Sequence, residues 1–163
     1  PPASWLDLAS SPGAATLTAG VERLAGTSTP TFLARRQQHA SFSASTSLLL
    51  PEHTGMSAGI VAFQNENYHF FLGVQRSGDR WSVFLERVAG EEPEVMTEQA
   101  LRSGESDRVE LRIEADGRPY DFAYRVDGGE WVKLAEDVDG SILSTEVAKG
   151  FVGSYLGLHA RIE

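Results

Sequence analysis

The chain has 163 residues and no cysteine, with 23 acidic against 14 basic side chains and a formal charge of −9. That length suits one domain with a continuous core, and the absence of thiols excludes disulfides, thiolate catalysis and Cys-based zinc sites. An acidic surface repels phosphate backbones and so disfavours nucleic acid, while remaining compatible with a neutral polysaccharide.

In chain order, residues 1–12 read as a linker or terminal arm ahead of a single domain that fills the rest of 1–163. The opening Pro1-Pro2-Ala3-Ser4-Trp5 has neither the basic nor the apolar region of a signal peptide. No apolar stretch approaches the roughly 20 residues needed to cross a bilayer, so no membrane partner is expected. The compartment stays open between cytoplasm and exterior. Strands are predicted over 14–19 and 31–37. Phe42, Ala44, Thr46 and Leu48 then alternate with Ser41, Ser43, Ser45 and Ser47, which is a strand with one polar face. Further strands are predicted over 56–64, 67–75 and 80–88, separated by Pro51 to Gly55 and Ser77-Gly78-Asp79. Residues 107–115 alternate most clearly: Val109, Leu111, Ile113 and Ala115 oppose Arg108, Glu110, Arg112 and Glu114. Tyr120, Phe122, Tyr124 and Val126 repeat the pattern, residues 142–149 form at most one helical turn before Gly150, and a last strand is predicted over 151–160. Many short strands without a sustained 3.6 period give an all-β, antiparallel sandwich or barrel.

Several segments, taken together, resemble one family. They are Ser11-Pro12-Gly13-Ala14-Ala15-Thr16-Leu17, Phe32-Leu33-Ala34-Arg35-Arg36-Gln37-Gln38-His39 running into Phe42 to Leu48, Ala58 to His69 with its Gln64-Asn65-Glu66-Asn67 turn, and Leu143 to Glu146 followed by Gly150 to Leu158. In this order they are similar to the C-terminal domain of family-43 glycoside hydrolases, the β-xylosidases and α-L-arabinofuranosidases. The resemblance implies a two-sheet, concanavalin A-like jelly roll that is not itself catalytic. It implies a catalytic propeller domain as partner and xylan, arabinoxylan or xylo-oligosaccharide as ligand. In related enzymes the loop before Leu33 can carry an aromatic that closes the neighbouring active site; here residues 26–31 contain none and only Phe32 is nearby. The family also continues beyond the Gly157-Leu158 segment into one more strand, without which a sheet edge is expected to be exposed unless another segment covers it.

Catalytic chemistry finds no support of its own. Glycoside hydrolysis needs two carboxylates facing each other across the bond, yet Glu110 and Glu114 fall among arginines on a wet strand face, as cross-strand charge pairs do. No Gly-x-Ser-x-Gly motif occurs. His39, His53, His69 and His159 are scattered without metal-ligand spacing, so no metal or cofactor is expected and structural or surface roles are the reading for all four. Ala135 to Gly140 could be aligned with a calcium loop, but Ala135 offers no ligand at its first position; an ordinary turn is the reading. Asp127-Gly128-Gly129 reads as a hairpin turn.

Aromatics and amides give the candidate binding residues, because sugar rings present apolar C–H faces to flat aromatic platforms. The candidates are Asn65, Asn67, Tyr68 and His69 around one turn, Trp131 after another, and Arg36. Tyr68, Phe70, Leu72 and Val74 are assigned to the buried face. Phe71, opposite, then needs a cover from the second sheet or a ligand. Trp81 goes to the core with Val83 and Leu85. Arg35 and Arg36 point to opposite faces, so one is expected inside and paired. The reading is an accessory domain that supports a catalytic domain and binds xylan. Its alternatives are a purely structural or oligomerisation module and a free-standing lectin-like sandwich.

Overall fold

The structure is a computed structural model that describes residues 5–25, 28–90, 92–102, 107–149 and 153–163. Among these the strands run β1 (Leu6–Asp7), β2 (Thr16–Leu17), β3 (Phe32–Arg36), β4 (Ser41–Leu49), β5 (Met56–Asn65), β6 (Tyr68–Ser77), β7 (Arg80–Ala89), β8 (Glu94–Ala100), β9 (Arg108–Asp116), β10 (Pro119–Val126), β11 (Val132–Asp139) and β12 (Tyr155–Ile162). A 3-10 turn over Gly140–Leu143 and one helical turn, α1 (Thr145–Ala148), precede β12. Ser144 caps α1 by accepting from the Val147 N–H, and Lys149 ends it at φ 55°; Gly150, the expected stop, lies outside the described residues.

Two antiparallel sheets face each other. One has the order β11-β10-β9-β4, the other β3-β12-β5-β6-β7-β8, and β1 and β2 form a separate ribbon. The arm expected over 1–12 is therefore folded back on residues 16–17 in its described part. Alternation decides which residues meet between the sheets. Val109, Leu111, Ile113 and Ala115 are buried there, with Tyr120, Phe122 and Tyr124 beside them and Phe70, Leu72, Val74, Val83 and Leu85 opposite. Charged residues of β9 turn outward, as predicted. Trp81 packs against this core and donates its indole N–H to Pro51 O at 3.0 Å. The Asp127-Gly128 hairpin turn has φ 54° and 67°, with Gly129 N–H donating to Val126 O; both residues take the left-handed conformation of a tight primed turn.

The sheets differ in width, and the difference shapes the molecule. β4 lies over β5, β9 over β5 and β6, and β11 over β7 and β8. β12 and β3 therefore reach past β4, and the sandwich is open on that side.

Several expectations are corrected. Phe71 is covered neither by the second sheet nor by a ligand. It belongs to a second core on the outer face of the six-stranded sheet, with Leu24, Val61 and Phe84 buried and Phe32 and Phe63 packed against them. Phe32 is thereby occupied: its ring lies 5.1 Å from that of Phe63 and over Gly157, where an added Cβ would meet it at 2.5 Å. Arg35 and Arg36 are both exposed, because β3 is an edge strand whose inward side opens on the uncovered ledge. Residues 135–139 belong to strand β11 rather than to a turn, and β8 has no counterpart among the predicted strands. β12 is itself no edge, since it pairs with β3 on one side and β5 on the other; among the described strands the edges of the two sheets are β3, β8, β4 and β11.

Candidate functional site

The β5–β6 turn is built by Asn65. Its carboxamide oxygen accepts from the Asn67 N–H at 2.9 Å and its Nδ2 lies 3.4 Å from Ala148 O, tying the turn to α1. Short Asx side chains make such turns by replacing a backbone acceptor. Asn67 is exposed and Tyr68 half-buried, with the Tyr68 hydroxyl held close to Gly90, which adopts φ 81°. His69 is 1% exposed and has no surface to offer a ligand. Cross-strand register puts it in one row with Arg36: Arg36, Tyr155, Phe63 and His69 are successive partners across β3, β12, β5 and β6. The sequence candidates Asn65, Asn67, Tyr68, His69 and Arg36 thus share one end of the larger sheet, with Tyr155 and Phe63 as half-buried aromatics between them.

The same outer face holds a buried charged cluster. Arg161 donates two hydrogen bonds to Glu86, at 3.0 and 2.9 Å, and both side chains are about 95% removed from solvent, with 6% and 5% exposed. The Arg161 guanidinium also lies 5.1 Å from the Phe71 ring centre. Burial alone would raise the Glu86 carboxyl, but the hydrogen bonds and charge of Arg161 hold it below its ordinary value. His159 sits beside them at zero exposure with Nδ1 2.8 Å from Thr31 O, so Nδ1 carries the proton and donates. Burial, with a partial upward pull from Thr31 and a smaller downward push from the Arg161 charge, brings its imidazole down to about 4. His69 is lowered for the same first reason. Thr31, Gly20 and Leu24 roof this cluster: Gly20 bridges Arg161 in parallel, and the Ile162 N–H donates to Gly20 O. No group of three or more His, Cys, Asp or Glu side chains that could hold a metal occurs among the described residues.

Trp131 lies elsewhere, on the outer face of the four-stranded sheet. Tyr124 pairs with Val132 and Arg125 with Glu110, so the residue before Val132 falls beside Arg125. The Arg112 and Arg125 guanidiniums approach the Trp131 ring centre at 4.1 and 4.7 Å, an arrangement in which each cation is attracted by the ring quadrupole. Arg125 is also locked in a two-pronged pair with Glu110, lowering that carboxyl and raising the guanidinium. Ser47, Glu110 and Arg125 form one transverse row, and Ser45, Arg112 and Ala123 the next. The result is a flat polar face with one aromatic fixed on it. Arg112 and Arg125 were absent from the sequence candidates. The hairpin register Asp127-Gly128 imposes on β10 and β11 is the signal that could have joined them to Trp131.

The family described as the β-xylosidase C-terminal concanavalin A-like domain matches residues 1–162. A xylosidase/arabinosidase of Butyrivibrio fibrisolvens is 30% identical over 157 residues, which are 96% of this chain and 30% of that protein. Among solved structures, a glycoside hydrolase of family 43, subfamily 12, from a capybara gut metagenome superposes with a TM-score of 0.89 at 25% identity, over 96% of this chain and 30% of that one. The xylan β-1,4-xylosidase of Bacillus halodurans shares the fold with a TM-score of 0.86 at 22% identity, covering 97% and 31%. The chain thus spans less than a third of the length of these relatives.

Proposed function

The chain belongs to the C-terminal concanavalin A-like domains of β-xylosidases, and from that membership we propose that it is one non-catalytic unit that supports a family-43 catalytic domain and binds xylan-type chains. The observation that carries the binding reading is Trp131, stacked on Arg112 and Arg125 on the open polar face of the four-stranded sheet. Xylan is largely uncharged along its backbone, so an aromatic ring for the C–H face and flanking Ser45, Ser47, Glu110 and Arg112 for the hydroxyls are the chemistry it needs. The two guanidiniums hold the indole in place before any ligand arrives, which lowers the ordering cost of binding. Asn67, Tyr68 and Arg36 offer a second, less organised contact at the end of the other sheet. Asn65 acts there through the turn it builds, and His69 contributes packing.

One observation favours the structural alternative. Trp131 already has cationic partners and Asn65 uses its amide internally, so both groups have a role in the unliganded fold. Affinity electrophoresis in soluble xylan and arabinoxylan separates the readings. Retarded migration that Trp131→Ala removes supports the binding face. Unchanged migration in both polysaccharides sinks it and leaves the structural module. The same preparation is expected to release no nitrophenol from aryl-xylosides or aryl-arabinosides; turnover that follows the purified chain and disappears with one Asp or Glu substitution would contradict a non-catalytic role.

A further inference from the structure

Asp-Gly occurs at three places in the chain, Asp116-Gly117, Asp127-Gly128 and Asp139-Gly140. In such a pair the glycine nitrogen can close a five-membered ring on the side-chain carboxyl carbon, because no side chain of its own obstructs the approach. Two of the three are held against it. Gly117 N–H donates to Ala40 O at 3.0 Å, while the Asp116 carboxylate accepts from the Ser41 hydroxyl at 2.8 Å. Gly140 N–H donates to Arg118 O at 2.8 Å, and the Asp139 carboxylate accepts from the Ser141 N–H and hydroxyl, both at 3.0 Å. In both pairs the attacking nitrogen and the carboxylate it must reach are already committed. Asp127-Gly128 differs on both counts. Neither the Gly128 N–H nor the Asp127 carboxylate has a partner among the described residues. Both residues are exposed, and a Cβ built on Gly128 meets nothing within 4 Å. The turn is held by the Gly129 N–H on Val126 O at 3.0 Å and by the longer Asp127 N–H on Arg108 O at 3.3 Å. The peptide between residues 127 and 128 takes part in neither, so its rotation toward the carboxyl breaks no hydrogen bond.

We propose that Asp127 is a site of spontaneous isoaspartate formation, and that the modification releases Trp131 from its two arginines. The Gly128 nitrogen bonds to Asp127 Cγ, and one carboxyl oxygen leaves as water with the amide hydrogen and a proton from solvent. Water then opens the succinimide at the carbonyl next to Cα, so the chain runs on through Cγ with its mass unchanged. The backbone gains a methylene in a turn whose residues match the twist of the flanking strands only in primed geometry. Trp131 lies between that turn and the start of β11 at Val132. Its place beside Arg112 and Arg125, at 4.1 and 4.7 Å, therefore depends on the turn. If Trp131 is the sugar platform proposed above, isomerisation also weakens xylan binding, a consequence that rests on that reading.

The test ages the whole chain, ¹⁵N-labelled at its tryptophans, at pH 6 and 37 °C, both folded and in urea. Tryptic peptides are separated by chromatography, and electron-transfer fragmentation distinguishes the isoaspartyl link from its parent of equal mass. In the folded chain isoaspartate is expected to accumulate at Asp127 about tenfold or more faster than at Asp116 or Asp139, where attack waits for a local opening. In urea the three sites are expected to convert at similar rates, since glycine follows in each. A second Trp131 indole N–H resonance is expected to grow in step with the isomerised fraction, while that of Trp81, packed against the core, stays in place. Asp127→Asn keeps the chemistry of the turn and reaches the same ring by losing ammonia, so it is expected to show the second resonance sooner. Neither measurement involves sugar, so failure of xylan binding leaves the result standing. The proposal is overturned if Asp127 stays α-linked in the folded chain, or if Asp116 or Asp139 keeps pace with it there. It is also overturned if Asp127 leads by the same margin in urea, or if the isomerised chain keeps the original Trp131 resonance.

Discussion

Arg161 and Glu86 form a two-pronged ion pair, 2.9 and 3.0 Å, on the face of the larger sheet that points away from the smaller one. They come from β12 and β7, with β5 and β6 between them, and the roof around Thr31 and Leu24 keeps water out. A charge pair so placed is stable only as a pair, since desolvation has already been imposed on both partners.

Removing one partner should therefore be costly. Arg161→Met or Glu86→Leu alone is expected to lower unfolding free energy by about 3–5 kcal/mol, the range for an orphaned buried charge. The double replacement is expected to recover much of that loss. Urea melts of the four proteins in a double-mutant cycle provide the check, and additive single losses would show that the pair is not acting as a unit.

Acid should loosen the same region. The folded value of His159 is about 4, below its ordinary 6.5, so between those values the unfolded chain takes up a proton that the folded chain refuses. Stability is then complete above pH 6.5 and falls as pH drops toward 4, by up to roughly 3 kcal/mol from this residue. His69 is displaced in the same direction. Glu86, lowered from 4.5, adds a loss at still lower pH. Urea melts at pH 7, 6 and 5 should show the decline, and His159→Asn, which can keep the bond to Thr31 without titrating, should flatten it.

The main core gives a contrast between neighbouring faces. Leu111 is fully buried, so Leu111→Ala is expected to cost about 2–5 kcal/mol. Ser43, exposed on the outer face of the adjacent strand, is expected to tolerate Ala within about 0.5 kcal/mol. Equal losses in chemical denaturation would mean that the sheet faces had been assigned the wrong way round.

Gly157 is constrained by space. A Cβ there would lie 2.5 Å from the Phe32 ring, 2.8 Å from the Ala34 Cβ and 2.8 Å from Leu33 O. Two of these contacts belong to atoms that cannot swing aside. Gly157→Ala is expected to cost about 1–3 kcal/mol, and shrinking Phe32 to Leu should restore only part of it. Thermal melts of the single and double variants measure both effects.

Strands with one wet face were legible in the sequence, and β9 and β4 are the clearest cases. Each has an apolar set against the other sheet and a polar set in water, so period two is undiluted. β6 was harder to read correctly because both its faces are covered: His69 and Phe71 are as buried as Phe70 and Leu72, and burial on both sides erases alternation. β8 and β11 are edge strands carrying Glu94, Glu98, Glu136 and Asp137, and polarity at an edge resembles a loop. In β11 the pairing with β10 also shifts register, with Asp137 at φ 51°, so an irregular strand was read as a turn. Of the candidate binding residues, those in the Asn65–His69 turn and Arg36 do fall together, but the partners of Trp131 depended on hairpin register. The open side of the sandwich was invisible for a different reason: it arises from one sheet having six strands and the other four, a difference that no local pattern contains.

The placement of β12 bears on how the chain acquires its shape. It is the last described strand to leave the ribosome, yet it lies inside the larger sheet, between β3 and β5. Until it emerges, β3 has no partner, β5 presents a bare edge, and the larger sheet cannot bury Phe32 or close over Thr31. Such late, long-range pairing delays folding and prolongs the exposure of sticky edges. During synthesis the nascent chain waits as an incomplete sheet, and a product truncated before β12 exposes a β5 edge open to pairing with a neighbouring copy.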